Sequence, residues 1–352
     1  MKNNKLNRRQ MLTAIGSAGA IAAAGCTEGD LNGEAGTGDD DSEMAEGDVM
    51  LQTAAGSPGG TGYVIMTSML STASSAHPDL GYNVLPGGWL GNNNRLQDQE
   101  VDMAHTTVVA ATLAATGQDP YDEEDWDTPP SNIRSVINDQ SEQFYYVLTQ
   151  PDFPYDSLQE AADDEYPIEV MNQADGTFGG FVWDTVLEEA NYGQEQIEDY
   201  GGRFVRTEWD DAADMFLDED LDAILAVSGR SVGWLENITA TRDPRFLDWT
   251  EDDQEFFEDN YGLDPHTLEE GGLPGLERDL DTMIDGGHIA THVDAPDEAI
   301  EMFVSGVIEE AEQVPQTTDT LEMFEADEAM FDDTPFELHP AAEQAYEDAG
   351  LM

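Results

Sequence analysis

The chain has 352 residues, 77 Asp and Glu against 12 Lys and Arg, and a formal net charge of −65. That balance excludes a basic face for nucleic acid, and the length allows a substantial core in one or two domains. The acids are spread along the chain, and both lysines, Lys2 and Lys5, lie at its start, so every later cation is an arginine. Self-repulsion on this scale weakens a compact fold in dilute salt. At molar salt the Debye length falls to about 3 Å and the repulsion is screened. The expectation is a protein of an extreme halophile of archaeal type; an acidic protein that binds basic partners or calcium is the weaker reading, because the charge is diffuse rather than patched.

Residues 1–26 are predicted to be an export signal. Asn7-Arg8-Arg9-Gln10-Met11-Leu12 has the twin-arginine pattern, and the small-residue apolar run that follows is too short to span a bilayer. Ala23-Ala24-Gly25-Cys26 reads as a lipobox, with Cys26 becoming the lipidated first residue that holds the protein to the outer face of the membrane. Cys26 is the only cysteine, so no intramolecular disulfide forms. Residues 27–47 are rich in glycine and acid and are expected to be a disordered tether.

From residue 48 the pattern changes. Val49–Ala54 predicts a strand, Gly56-Ser-Pro-Gly-Gly-Thr-Gly62 a turn, and Tyr63–Ala76 an amphipathic helix. Strand, polar loop and helix recur at Tyr82–Leu85 and Val101–Thr106, which is the order of an open α/β sheet. Loops at the carboxyl ends of such strands line a ligand crevice, where the amides opening each helix are free to bind an anion. The acidic loop Pro120–Pro130 lacks the central glycine and closing glutamate of a calcium loop. Ile133–Asn138 and Gln143–Leu148 predict two strands, ended by Pro151 and Pro154.

A second α/β block follows. Its predicted strands are Tyr166–Met171, Arg203–Thr207 and Leu221–Val227, and its helices are Ser157–Asp164, Phe181–Ala190, Ala212–Leu217 and Val232–Ala240. Arg242–Trp249 predicts a strand returning to the first block. His288–Val293 predicts another, then a helix over Asp297–Glu310 and a last helix opening at Pro340. His288 and His292 are four apart, but alternation puts them on a strand, so no metal site is expected.

Three stretches together resemble the TAXI family, the solute-binding receptors of one class of TRAP transporters. They are the Gly56–Tyr63 loop with Asn92–Asn94 and Leu96–Asp102, the block from Ile168 to Arg230, and the tail Leu338-His-Pro…Gly350-Leu351. The resemblance implies a two-lobe periplasmic-binding-protein-like α/β fold of type II with the ligand cleft between the lobes. Residues 48–147 and 246–352 would form lobe 1 and residues 148–245 lobe 2, closing by hinge motion.

The ligand-binding candidates follow from the loops. Gly59, Gly60, Thr61 and Tyr63 offer amides and hydroxyls at a helix start. Asn92 and Asn93 are ligand contacts or N-caps, and Thr106 and Thr107 ligand contacts or a cap for the helix beginning at Val108. Asp175, Gly176 and Thr177 form the second loop, where an acid caps a helix and repels an anion. Arg230, after Ser228-Gly229, is either a bidentate clamp on a carboxylate or an ion pair with one of the many acids. Trp89, Phe178 and Trp183 wall an apolar part of the site or belong to the core.

No Gly-x-Ser-x-Gly elbow, Walker loop or His-Glu-x-x-His motif is present, and no cofactor is expected. The expectation is therefore a lipid-anchored receptor that delivers a small organic anion, a dicarboxylate or an acidic amino acid such as glutamate, to TRAP membrane subunits. The alternatives are a receptor for an ABC importer and a secreted enzyme on the same scaffold.

Overall fold

The computed structural model describes residues 43–122, 126, 129–174, 176–330 and 335–352. The export signal, the lipobox with Cys26, most of the tether, most of the acidic 122–127 segment and Asp175 lie outside the described residues.

The elements in chain order are β1 (Glu43–Ala45), β2 (Val49–Ala54), α1 (Thr61–Ala76), β3 (Leu80–Leu85), α2 (Trp89–Gln97), β4 (Met103–Thr107), α3 (Val108–Thr116) and β5 (Ile133–Thr149). Then come α4 (Leu158–Asp163), β6 (Glu169–Asn172), α5 (Phe178–Glu189), α6 (Gln194–Asp199), β7 (Arg203–Arg206), α7 (Trp209–Leu217), β8 (Ala223–Ser228) and α8 (Gly233–Thr241). The last are β9 (Arg245–Leu247), α9 (Glu251–Tyr261), β10 (Asp264–Leu268), β11 (Leu280–His292), α10 (Asp297–Glu309), α11 (Val314–Thr317) and α12 (Pro340–Ala349).

The eleven strands of the described residues join one sheet in the order β1-β3-β2-β4-β11-β5-β8-β6-β7, with β10 added to β11 and β9 to β5. β2, β3 and β4 are parallel, as are β6, β7 and β8, each set fed by crossover helices. β4 and β8 are buried along their whole length, as expected of parallel strands covered on both faces. The two parallel sets are the sheets of the two lobes, and the long strands β5 and β11 run antiparallel between them.

The predicted pair Ile133–Asn138 and Gln143–Leu148 is thus one strand of 17 residues. What reads as a break between them is a local kink. Gln140 takes φ 57, and the pairing with β11 shifts between Gly286 and His288. Two further differences come from pairing that is distant in sequence. Glu43–Ala45, within the expected tether, lies antiparallel against β3. Leu268, Leu273, Leu276 and Leu280, grouped by sequence with lobe 1, pack with Trp209, Phe216 and Trp234 in the core of lobe 2.

Amphipathic helices pack on the sheet, and one core cluster runs from Ala54 and Trp89 to Val170, Trp183 and Trp249. α1 turns Ile65, Met66, Met69, Leu70 and Ala73 inward at helical spacing and ends before Pro78. α10 buries Ile300, Phe303, Val304 and Val307 against it, with Asp297 and Glu298 in its first turn, where the helix dipole favours acids. Fully burying a side chain such as Ile65 or Phe303 contributes roughly 1.5–3 kcal/mol.

Candidate functional site

Two helices open on the cleft side of lobe 1 without side-chain caps. α1 starts after Gly60 and α2 after Gly88, and neither cap residue has a side chain to satisfy the first amides. The amides of Thr61, Gly62, Trp89 and Leu90 have no carbonyl within their own helix to bind. By contrast, Thr107 caps α3 and Thr177 caps α5 through their hydroxyls. The two open ends are neighbours. The loops before them are joined by Gly87 N–H donating to the Gly56 carbonyl at 3.4 Å. A Cβ on Gly62 would stand 2.9 Å from Trp89 Nε1 and 2.8 Å from His105 Nδ1, so only glycine lets this helix end approach the indole. The converging dipoles make a positive locus in a very acidic protein.

Lobe 2 meets this locus. Gly91 N–H donates to the Gly176 carbonyl at 3.3 Å, and Gly229 N–H donates to Thr61 Oγ1 at 2.8 Å. The Gly60 loop also faces the indole of Trp209, which stacks on Trp234 with ring centroids 4.7 Å apart. The Gly59–Tyr63 loop thus meets the second block at Gly229, and the start of α2 meets it at Gly176.

The remaining candidates have other work. Asn92, fully buried, donates from Nδ2 to the carbonyls of Ala55 and His105, and Asn93 donates to Ala110 O and Tyr121 Oη. Both staple α2 to the sheet and to α3. Thr106 Oγ1 donates to Trp89 O at 3.4 Å, and the Thr107 hydroxyl both caps α3 and bonds to Asp285. Gly59 takes φ 76 at the exposed tip of the first loop. Thr177 both caps α5 and donates to Ala174 O. Trp89, Phe178 and Trp183 are all core residues.

Arg230 does not stand open to the cleft. It forks onto Glu142 and lies over the Phe144 ring at 5.2 Å. The hollow beside it, lined by Glu142, Thr320 and Glu322, holds about 10 Å³, too little for more than about one water. Each described arginine engages a carboxylate or a carbonyl.

Sequence reading missed the polar groups beneath the cleft. Trp89 Nε1–H donates to His105 Nδ1 at 3.0 Å, and His105 Nε2 stands 3.0 Å from Asp139 Oδ2, both side chains fully buried. Asp285, also buried, accepts from Val109 N–H at 3.1 Å and lies 3.5 Å from Tyr145 Oη. Burial raises its carboxyl from 3.8 to about 7, against the opposing bonds from Thr107 and the backbone. Burial likewise pushes His288 from 6.5 down to about 3. His288 and His292 lie on β11, and among the described residues no cluster of acids and histidines has the makings of a metal site. No described helix is long and apolar enough to cross a membrane.

No curated protein matches the sequence. Among solved structures, PhnD1 from Prochlorococcus marinus in complex with methylphosphonate is similar over 87% of this chain and 100% of its own. Its identity is 9% and the TM-score 0.50, a likeness of fold alone. MatC from Rhodopseudomonas palustris with bound malate is similar over 86% and 96%, at 12% identity and TM-score 0.48. A family model, that of the NMT1-like family, matches residues 53–350. With that match running through both lobes and the whole cleft, the chain belongs to the NMT1-like family.

Proposed function

We propose that the protein is an extracytoplasmic receptor that captures a small organic anion between its lobes and hands it to membrane transport subunits. The carrying observation is the meeting of two uncapped helix ends, at Gly60–Gly62 and Gly88–Leu90, where lobe 2 closes on lobe 1. Main-chain amides recognise the anion. Arg230 is already neutralised by Glu142 and sets the closed geometry instead. A carboxylate accepting several backbone amides gains charge-assisted bonds of roughly 1.5–3 kcal/mol each. The ligand class is a dicarboxylate or an acidic amino acid. Cys26 supplies the lipid anchor, residues 27–42 the tether, and the membrane partner is of the TRAP type.

The motif order at Gly56–Tyr63, Ile168–Arg230 and the C-terminal tail supports the TRAP assignment. Thermal-shift screening in molar KCl against succinate, malate, glutamate and neutral analogues tests the ligand class. Stabilisation by the acids and not by their amides is expected. Stabilisation by neutral or cationic solutes alone would overturn it.

A further inference from the structure

A row of polar groups runs from the cleft to the kink in β5. Trp89, the first residue of α2, has its indole beside Gly62 and its helix in contact with Gly176 of lobe 2. That indole donates to His105 Nδ1, which therefore carries no proton in the neutral ring, so the ring proton sits on Nε2. Nε2 faces Asp139 Oδ2 at 3.0 Å, with the N–H off the direct line, and neither atom has another partner among the described residues. The second carboxylate oxygen, Oδ1, accepts from Ser141 N–H at 2.9 Å across Gln140, the residue at φ 57.

Asp139 reaches His105 only by crossing β11 at Gly287, where any Cβ would stand 1.9 Å from Oδ1. The β5–β11 pairing slips at the same level, between Gly286 and His288. A buried carboxyl and ring thus lie at one of the two places where the β5–β11 pairing shifts, the other falling between Ile289 and Ala290.

We infer that His105 and Asp139 are positioning residues, a buried link that fixes the Trp89 indole, packed at the start of α2, to the kink of β5 at Gln140. The inference deepens the receptor reading, since it names what ties the ligand loop to the hinge. Rotation about Gln140 displaces Asp139, Asp139 reorients the ring, and the ring moves the indole. A buried carboxyl that faces that ring leaves its station at high energetic cost, so the three move together.

The test uses ligand-free protein in molar KCl. The Trp89 indole ¹⁵N–¹H resonance, assigned with Trp89→Phe, reports the cleft end. The distance between spin labels at Ser71→Cys and Gln194→Cys, in a Cys26→Ser background, reports the angle between the lobes. Asp139→Asn removes the carboxylate acceptor, and Gly287→Ala displaces it by an independent route. The expected result in both variants is a shifted indole resonance together with a broadened interlobe distance distribution. A purely structural role lowers the melting temperature and leaves both readouts in place. A folded variant with either readout unmoved overturns the inference, and Gly287→Ala decides if Asp139→Asn does not fold. Because no solute is present, failure here leaves solute capture standing, and failure of solute capture leaves this link standing.

Discussion

Arg230 holds Glu142 through Nε at 2.8 Å, and Glu322 of the C-terminal segment stands 3.9 Å from the same nitrogen. The arginine follows β8 in lobe 2, Glu142 lies just past the kink of β5, and Glu322 belongs to the segment that covers lobe 1. The pair thus ties the closing surfaces together and leaves no guanidinium for a solute. Arg230→Gln is expected to lower stability by about 1 kcal/mol or less, as partly exposed ion pairs do. Carboxylate affinity should persist, measured by calorimetry in molar KCl. Loss of a direct charged contact would instead remove roughly 1.5–3 kcal/mol of binding.

Gly229 is a steric test of closure. Its amide meets Thr61, and a Cβ there would stand 2.9 Å from Thr320 Cγ2 and 3.0 Å from Thr61 Cγ2. Gly229→Ala therefore strains the closed arrangement by about 1–3 kcal/mol and leaves an open one unaffected. Small-angle scattering should show a larger radius of gyration than wild type at equal folded fraction.

Asp285 makes stability depend on pH with a known sign. Its folded value of about 7 exceeds the ordinary 3.8, so between these the native state keeps a proton that the unfolded chain has released. That contribution is fully present below 3.8 and is lost as pH rises towards 7, by up to about 1.4 kcal/mol per unit. Urea unfolding should show Asp285→Asn gaining on wild type from pH 4 to 7 and holding level above. His288 acts oppositely: depressed from 6.5 to about 3, it contributes stability that disappears as pH falls through that window. His288→Gln should flatten the acid limb.

The charge of −65 predicts a salt requirement. Raising KCl from about 0.1 M to 1 M shortens the Debye length from about 10 Å to about 3 Å. The melting temperature followed by circular dichroism should rise across that range. Substituting some of the acids that lie outside ion pairs, such as Asp210 and Asp252, by Asn or Gln should reduce the dependence.

The local pattern carried much of this fold. Val49–Ala54 matches β2 to the residue, and the glycine loop, the helix after it and the Pro340 helix start stand where the spacing puts them. What stayed hidden depends on partners far along the chain. Asn138-Asp139-Gln140-Ser141 looks like a turn, and only pairing with β11 shows that β5 continues through it. The need for glycine at Gly287 shows only where Asp139 passes over β11. Arg230 and Glu142 are 88 residues apart, so the choice between ion pair and ligand clamp was open in sequence. Trp89 stood out as an aromatic near a helix start, but its His105 and Asp139 partners lie on two other strands.

Hydrogen exchange on the intact protein in molar KCl, with and without the solute that gives the largest thermal shift, tests the central claim most directly. Solute capture by main-chain amides predicts slowed exchange at Thr61, Gly62, Trp89 and Leu90, with smaller effects at Gly229 where the lobes meet. Protection confined elsewhere, as in the groove of about 610 Å³ lined by Arg245, Phe246, Leu276 and Arg278, would contradict it.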